Sequence, residues 1–285
     1  SMKRVEAALN GVSGNQLRQL ADQAKDLGPR VGKGAAEAAD GIEALGLAGV
    51  STADIMGGAL KASLDLAAAG AAPVADAASL VTDSMGQFKV TAAQLPQVVG
   101  NVVGALDSSK FGFIDFQQAV AQGGGVAASA GLSFQDFATA IAATSNQFSS
   151  GSDAGTSFKT YIQSLVPVSK EAEYAMKQLG IEFFDVRTGR MKPLAEQAEI
   201  LRKALGGLSD KSKTEALKTI FGSDAARTAI ALMEKGRQGI VDLQAEIEKG
   251  DVGGKIAKRL EGEEAAAKRL ANAFESVKIA IGEAG

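Results

Sequence analysis

Residues 134–179, FQDFATAIAATSNQFSSGSDAGTSFKTYIQSLVPVSKEAEYAMKQL, decide the fold class. Phe134, Phe137, Ile141 and Phe148 make one apolar stripe, and Phe158, Tyr161, Ile162 and Leu165 make a second. Ala172, Ala175, Met176 and Leu179 make a third, all at the three- and four-residue steps of a helix face. Between the stripes lie Ser149 to Ser152 and Pro167-Val168-Ser169, which supply turn and cap residues. The spacing predicts three consecutive helices whose stripes are core.

The same grammar continues in both directions. Toward the N-terminus, Leu17, Leu20, Ala24 and Leu27 mark a helix ended by Gly28-Pro29, and a second helix covers Gly34 to Leu45. Ser51 is placed to cap a third, answered by Asp54 as in a capping box, in an Ala-rich run toward Gly70. A weakly polar helix over 91–106 carries Gly100-x-x-x-Gly104, a small-residue spacing that lets helix backbones approach closely in a bundle, or pairs helices in a membrane. Toward the C-terminus, Leu194, Ala198, Leu201 and Leu205 form a stripe. A helix from Lys211 meets Phe221-Gly222-Ser223, where Ser223 can cap the next.

One segment breaks the pattern. Ile181 to Val186, the turn Arg187-Thr188-Gly189-Arg190, and Met191-Lys192 before Pro193 predict a small β-hairpin near 181–192 that must pack on the helices. The phrase Ala48-Gly49-Val50-Ser51-x-x-Asp54-Ile55 returns as Ala130-Gly131-Leu132-Ser133-x-x-Asp136-Phe137. Either a helical module is duplicated or one helix-start solution is used twice.

Composition agrees with an all-α, Ala/Gly-rich multi-helix bundle. The 285 residues are 46% hydrophobic but only 5% aromatic, with no Trp, so the apolar mass lies in Ala, Leu, Val and Ile. The net charge is −3 and no long basic run exists, which speaks against specific nucleic-acid binding. Absence of both His and Cys removes Ser-His-Asp and Cys-His nucleophiles, His/Cys zinc sites and disulfides. The uncharged run 116–135 has bilayer length, but its Gln and Ser residues and the Gly123-Gly124-Gly125 break argue against an ordinary membrane helix.

Beyond Gly250, with Gly253-Gly254 as a hinge, Ile256, Leu260, Ala267, Leu270, Phe274, Val277 and Ile281 keep alternating steps with Glu263 breaking the seam. This heptad pattern, over about 26 residues, predicts a C-terminal coiled-coil-like helix of roughly 40 Å. Its partner is a second copy of the chain or the body of the same domain. Ile256, Leu260, Leu270, Phe274, Val277 and Ile281 are the candidate oligomerisation residues.

Catalytic motifs do not materialise. Gly28-Pro29-Arg30-Val31-Gly32-Lys33-Gly34 is one residue short of a phosphate-binding loop and has Gly34 where a hydroxyl is needed. Glu275-Ser276 imitates the acid of a peptidoglycan-cleaving site, yet it stands in the heptad rod without a sugar cleft. Glu171, Glu173, Glu263 and Glu264 read as solvated faces.

A family resemblance rests on a set of ordered motifs. These are Ala128-Ser129-Ala130-Gly131-Leu132-Ser133, Ser150-Gly151-Ser152-Asp153-Ala154-Gly155-Thr156, Leu179-Gly180-Ile181 with the Asp185 to Gly189 turn, and Ile220-Phe221-Gly222. In order and spacing they resemble the core domain of phage tail tape-measure proteins, over about residues 30–235, and Leu47 to Ser51 resembles an upstream repeat of that family. The resemblance implies a structural, non-enzymatic protein of the tail lumen. It would template polymerisation of tail-tube subunits, set tail length, and leave during DNA ejection. It implies tail-tube protein and tail assembly chaperones as partners, homo-oligomers, membrane contact during ejection, and residence in the virion tail and, during assembly, the host cytoplasm. It brings no catalytic residue, metal or cofactor. A membrane-active helical module for envelope penetration or pore formation is the alternative. The expected divisions are an N-terminal helical segment, 1–29, with Ser1-Met2 as a tag scar; a core, 30–249; and the C-terminal helix, 250–285. So short a ruler suggests a piece of a longer protein.

Overall fold

The computed structural model describes residues 2–264, 266 and 267. Its elements are α1 (Met2–Ala8), α2 (Gly14–Arg30), α3 (Ala35–Leu47), α4 (Thr52–Asp54), α5 (Leu60–Gly70), α6 (Val74–Phe88), α7 (Leu95–Asp107), α8 (Phe113–Ala119), α9 (Gly125–Ser129), α10 (Phe134–Thr144), α11 (Gly151–Ser164), α12 (Lys170–Gln178), α13 (Leu194–Leu205) and α14 (Asp210–Glu248). π-helical turns, Ile55–Ala59 and Val120–Gly124, join α4 to α5 and α8 to α9. Residues 252–264 form a further helical stretch. The protein is all-α, as its periodicity predicts.

Six of the helices begin at a serine whose side chain takes up an orphan N–H group. Ser13, Ser51, Ser133, Ser150, Ser169 and Ser209 all accept such a bond as N-caps. The returning phrase folds the same way twice. Gly49 (φ +84°) and Gly131 (φ +90°) sit in the left-handed region, and the following apolar residue donates back five positions, Val50 N–H to Leu45 O and Leu132 N–H to Ala127 O. This is a Schellman stop followed at once by a Ser cap, so the shared residues encode a helix–helix corner.

α3, α5 and α6 pack together with α1 and α2 against α3, while α10, α11 and α13 pack on α14. α7 lies between the two groups and touches α5, α10 and α14. The scarce aromatics concentrate in one continuous spine. Rings contact in the order Phe116, Phe134, Phe88, Phe137, Phe158, Tyr161 and Phe221, with Phe183 against the last two, at centroid separations of 5.3–6.4 Å. Such edge-to-face and offset pairs add to their area burial.

Three expectations need correction or refinement. First, no β-strand occurs among the described residues, and the predicted hairpin is a single antiparallel bridge, Phe184 to Met191. The two backbone bonds flanking the bridge form, Asp185 N–H to Arg190 O and Lys192 N–H to Phe183 O, but the Arg190 N–H that would return the bond to Asp185 donates to Thr188 Oγ1 at 3.3 Å, and Asp185 Oδ1 ties the turn by accepting from the Arg187 and Thr188 N–H groups. Second, α2 runs through Pro29 to Arg30, because Pro29 stands in the last turn and the helix is ended by Val31 and Gly32 (φ +73°) instead. Third, α14 breaks at Gly222, as expected, and again at Gly236 (φ +62°, ψ −177°), a break no apolar stripe announces. The run 116–135, in line with its Gln and Ser residues and glycine break, is divided among α8, the π-helical turn, α9 and the start of α10. It turns at Gly131 and buries Phe116, Ala119, Val120, Ala127, Leu132 and Phe134 in the core. No helix among the described residues is long and apolar enough to cross a membrane.

Candidate functional site

The motif residues gather at joints where backbones touch, so the geometry is built from glycines upward. On α11, Gly151 and Gly155 lie one turn apart. A Cβ on Gly151 would stand 1.6 Å from the Asp115 carbonyl oxygen, and one on Gly155 2.5 Å from that of Ala119. Gly123 continues the seam, since its Cβ would stand 2.7 Å from the Gly155 carbonyl oxygen. The junction is tied by Gly151 N–H donating to Asp115 Oδ1 at 3.0 Å. Helices α8 and α11 therefore meet backbone to backbone, with no room for any side chain. The sequence shows Gly151-x-x-x-Gly155 as openly as Gly100-x-x-x-Gly104, inside one of the motifs that carry the family resemblance, but nothing in the spacing tells that its glycines meet a backbone.

The second joint fulfils the bundle reading for Gly104, while Gly100 has open space at its Cβ position. Gly104 faces the backbone of Ile247, where a Cβ would meet the carbonyl oxygen at 2.2 Å, and Gly250 faces Gly100 O at 2.1 Å. The end of α14 is thus pressed into α7. From this joint the stretch 252–264 turns back over the N-terminal helices. Asp251 Oδ1 accepts from Gly254 N–H at 2.8 Å, Lys255 pairs with Asp107, Arg259 donates to the Ala69 carbonyl at 3.2 Å, and the Leu260 side chain covers Gly32. Arg259 lies at the C-terminal end of α5, where a cation complements the helix dipole.

Of the six candidate oligomerisation residues, Ile256 and Leu260 are half-buried, and Leu260 packs on its own domain. Leu270, Phe274, Val277 and Ile281 lie outside the described residues. Glu275 and Ser276 do as well.

Two polar clusters lock α11 to its neighbours. Buried Ser157 donates to the Asp224 carbonyl at 2.7 Å and shares a 2.8 Å hydrogen bond with Thr228, just beyond the Gly222 break. Asp224 also holds Arg227 at 2.6 Å, and that guanidinium lies 4.5 Å over the Phe148 ring. Tyr161 donates to Gln197 Oε1 at 3.0 Å, and Gln197 Nε2 donates to the Lys192 carbonyl at 2.7 Å. Burial pushes the Tyr161 phenol far above its ordinary range, so it acts only as a neutral donor.

At the Gly236 break, Arg202 occupies the space a Cβ would need, with its Cδ 3.0 Å away. Glu199 is held down to about 2, first by the Arg202 hydrogen bond and further by the Arg237 backbone N–H. Glu199 thereby caps the last segment of α14. These arrangements bind helices to one another. Among the described residues no cluster of three or more acidic side chains could hold a metal ion.

Comparison with known proteins follows the same residues. The profile of the phage-related minor tail protein family matches residues 21–222. A tape measure protein of Pneumococcus phage Dp-1 is 29% identical over 282 residues, which is 98% of this chain and 24% of that protein. A probable tape measure protein of Escherichia phage P2 is 25% identical over 232 residues, 80% of this chain and 28% of its own length. The chain thus spans about a quarter of the length of these relatives. No solved structure matches it.

Proposed function

Because the chain belongs to the phage-related minor tail protein family, we propose that it is the folded helical core of a tail tape-measure protein, whose task is assembly and not chemistry. The observation that carries this reading is the role of the motif residues. Gly131, Ser133, Ser150, Gly151, Gly155, Gly180 and Gly222 serve as helix stops, caps, backbone contacts and a break, and the family motifs consist of them. A motif set that specifies joints is what a structural domain needs.

In this proposal the longer protein lies in the tail lumen, templates tube polymerisation and sets tail length, since a helical chain advances about 1.5 Å per residue. Tail-tube protein and assembly chaperones are its proposed partners, and release accompanies DNA ejection. Homo-oligomers would form through the C-terminal seam. With Leu260 already packed on Gly32, the proposed contact between copies narrows to Leu270, Phe274, Val277 and Ile281.

Two experiments test this. In phage carrying the full-length protein, an in-frame deletion in a helical stretch outside this core should shorten tails by about 1.5 Å per residue removed, measured by negative-stain electron microscopy. Unchanged tail length would refute the ruler. Light scattering coupled to size exclusion, on residues 1–285 and 1–250, should show an oligomer that dissociates on truncation. An unchanged multiple of the chain mass would refute the seam.

A further inference from the structure

The 252–264 stretch lies on the body of the chain by its seam face. Ile256 and Leu260 are half-buried, whereas Ala257, Lys258 and Glu261 are exposed. A Cβ on Gly32 would stand 2.6 Å from Leu260 Cδ2 and 3.2 Å from Glu263 Oε2, so two consecutive seam positions meet the same glycine. The seat exists because Gly32 follows α2 at φ +73° with no side chain. Few contacts hold the stretch there: a partly solvated pair of Lys255 with Asp107, a hydrogen bond from Arg259 to the Ala69 carbonyl, and Leu260 itself. Ion pairs of that exposure contribute little. The pivot is defined as well, since Gly250 is pressed against Gly100 O and fixes the end of α14, while Gly253 has open space at its Cβ position.

We propose that the 252–264 stretch is an autoinhibitory strap, which keeps Ile256 and Leu260 from a second copy of the chain until it swings off Gly32. The inference rests on the seam reading given above and adds its control. One helix face cannot serve the body and a partner helix at once, so docking and pairing exclude each other. Once released, Ile256 and Leu260 extend the seam that the sequence continues through Ala267, Leu270, Phe274, Val277 and Ile281. Because each copy must release its own strap before pairing, the association constant of a pair scales with the square of the released fraction.

Asp107→Lys and Gly32→Asn test this from the body side, leaving every seam residue in place. The first sets a lysine against Lys255; the second puts into the seat of Leu260 a side chain that tolerates positive φ. Amide exchange of 252–264 at high dilution should quicken roughly fivefold in Asp107→Lys, and the association constant from light scattering should rise about 25-fold, the square of that factor. Gly32→Asn should move both in the same direction. Adding Lys255→Asp to Asp107→Lys restores an opposite-charge pair and should return both quantities to wild-type values. Faster exchange with unchanged association, in a chain whose 1–250 truncation loses oligomeric order, would overturn the strap as a gate and leave the seam standing. Equal oligomeric order of 1–285 and 1–250 would remove the seam itself, and the gate with it. Unchanged exchange in both body-side variants would show that neither contact holds the strap and would overturn the proposal.

Discussion

Substituting Gly155 by Ala sets helix propensity against packing. In a solvated helix the change stabilises by about 1 kcal/mol, since Ala is the better helix former. Here the new Cβ would lie 2.5 Å from Ala119 O, 2.8 Å from Ala119 Cα and 3.0 Å from Gln122 Cβ, against a helix that Gly151 already holds at its own closest approach. Ordinary contact requires about 3.5 Å, so α8 must retreat by roughly 1 Å along a seam shared with Gly123. Overpacking of this kind costs about 3 kcal/mol at the upper end of its range, which leaves a net destabilisation of about 2 kcal/mol. Gly125→Ala is the internal control, because nothing lies within 4 Å of its Cβ position and the residue is exposed in α9. It should be neutral or stabilise by up to about 1 kcal/mol. Urea denaturation followed by far-UV circular dichroism should therefore move the two midpoints in opposite directions with unchanged slopes. A Gly155→Ala protein as stable as the wild type would refute the backbone-contact reading of the motif, and with it the structural argument for the proposed role.

Three further perturbations test the clusters. The Glu199 carboxyl, held at about 2 by Arg202 and the Arg237 N–H, contributes stability present above the ordinary carboxylate range and lost as pH falls toward 2. The melting-temperature difference between wild type and Glu199→Gln should therefore close between pH 4.5 and 2; a gap that widens on acidification would contradict the assignment. Tyr161→Phe leaves Gln197 Oε1 without its donor inside the core, which should destabilise by about 1–3 kcal/mol in the same urea assay. Leu260→Asp places a charge against Gly32 and should detach the 252–264 stretch, read as faster amide exchange there with α10 and α11 unaffected. Uniform protection in that variant would show that the stretch is held by something other than Leu260.

Much of the fold is local, and that part is legible in the chain. The stripes of α10, α11, α12 and α13, the Ser caps and the Gly49, Gly131 and Gly222 breaks all depend on residues within a few positions of each other. The hairpin is the instructive difference. Residues 181–192 have strand-like residues and a turn glycine, but the Thr188 hydroxyl takes the Arg190 N–H and Asp185 Oδ1 holds the turn N–H groups, a competition that alternation of apolar residues does not report.

The sequence by itself determined an all-α chain, the bounds of its stripe-bearing helices to within about a turn but not the presence of α1, α6, α8 and α9, the uselessness of its polar residues for His- or Cys-based chemistry, and the motif order that marks its family. Tertiary structure alone decided which small residues matter. Gly151, Gly155, Gly104 and Gly250 meet another backbone, whereas Gly100 and Gly125 have open space around their Cβ positions. It also decided that Gly236 breaks α14 around Arg202 and that Leu260 folds onto Gly32. The physical reason is range. Caps and periodicity act over one turn of helix, but a steric contact, a buried amide or a clasp is defined by a partner distant in sequence, such as Ala119 for Gly155, and only packing brings that partner near.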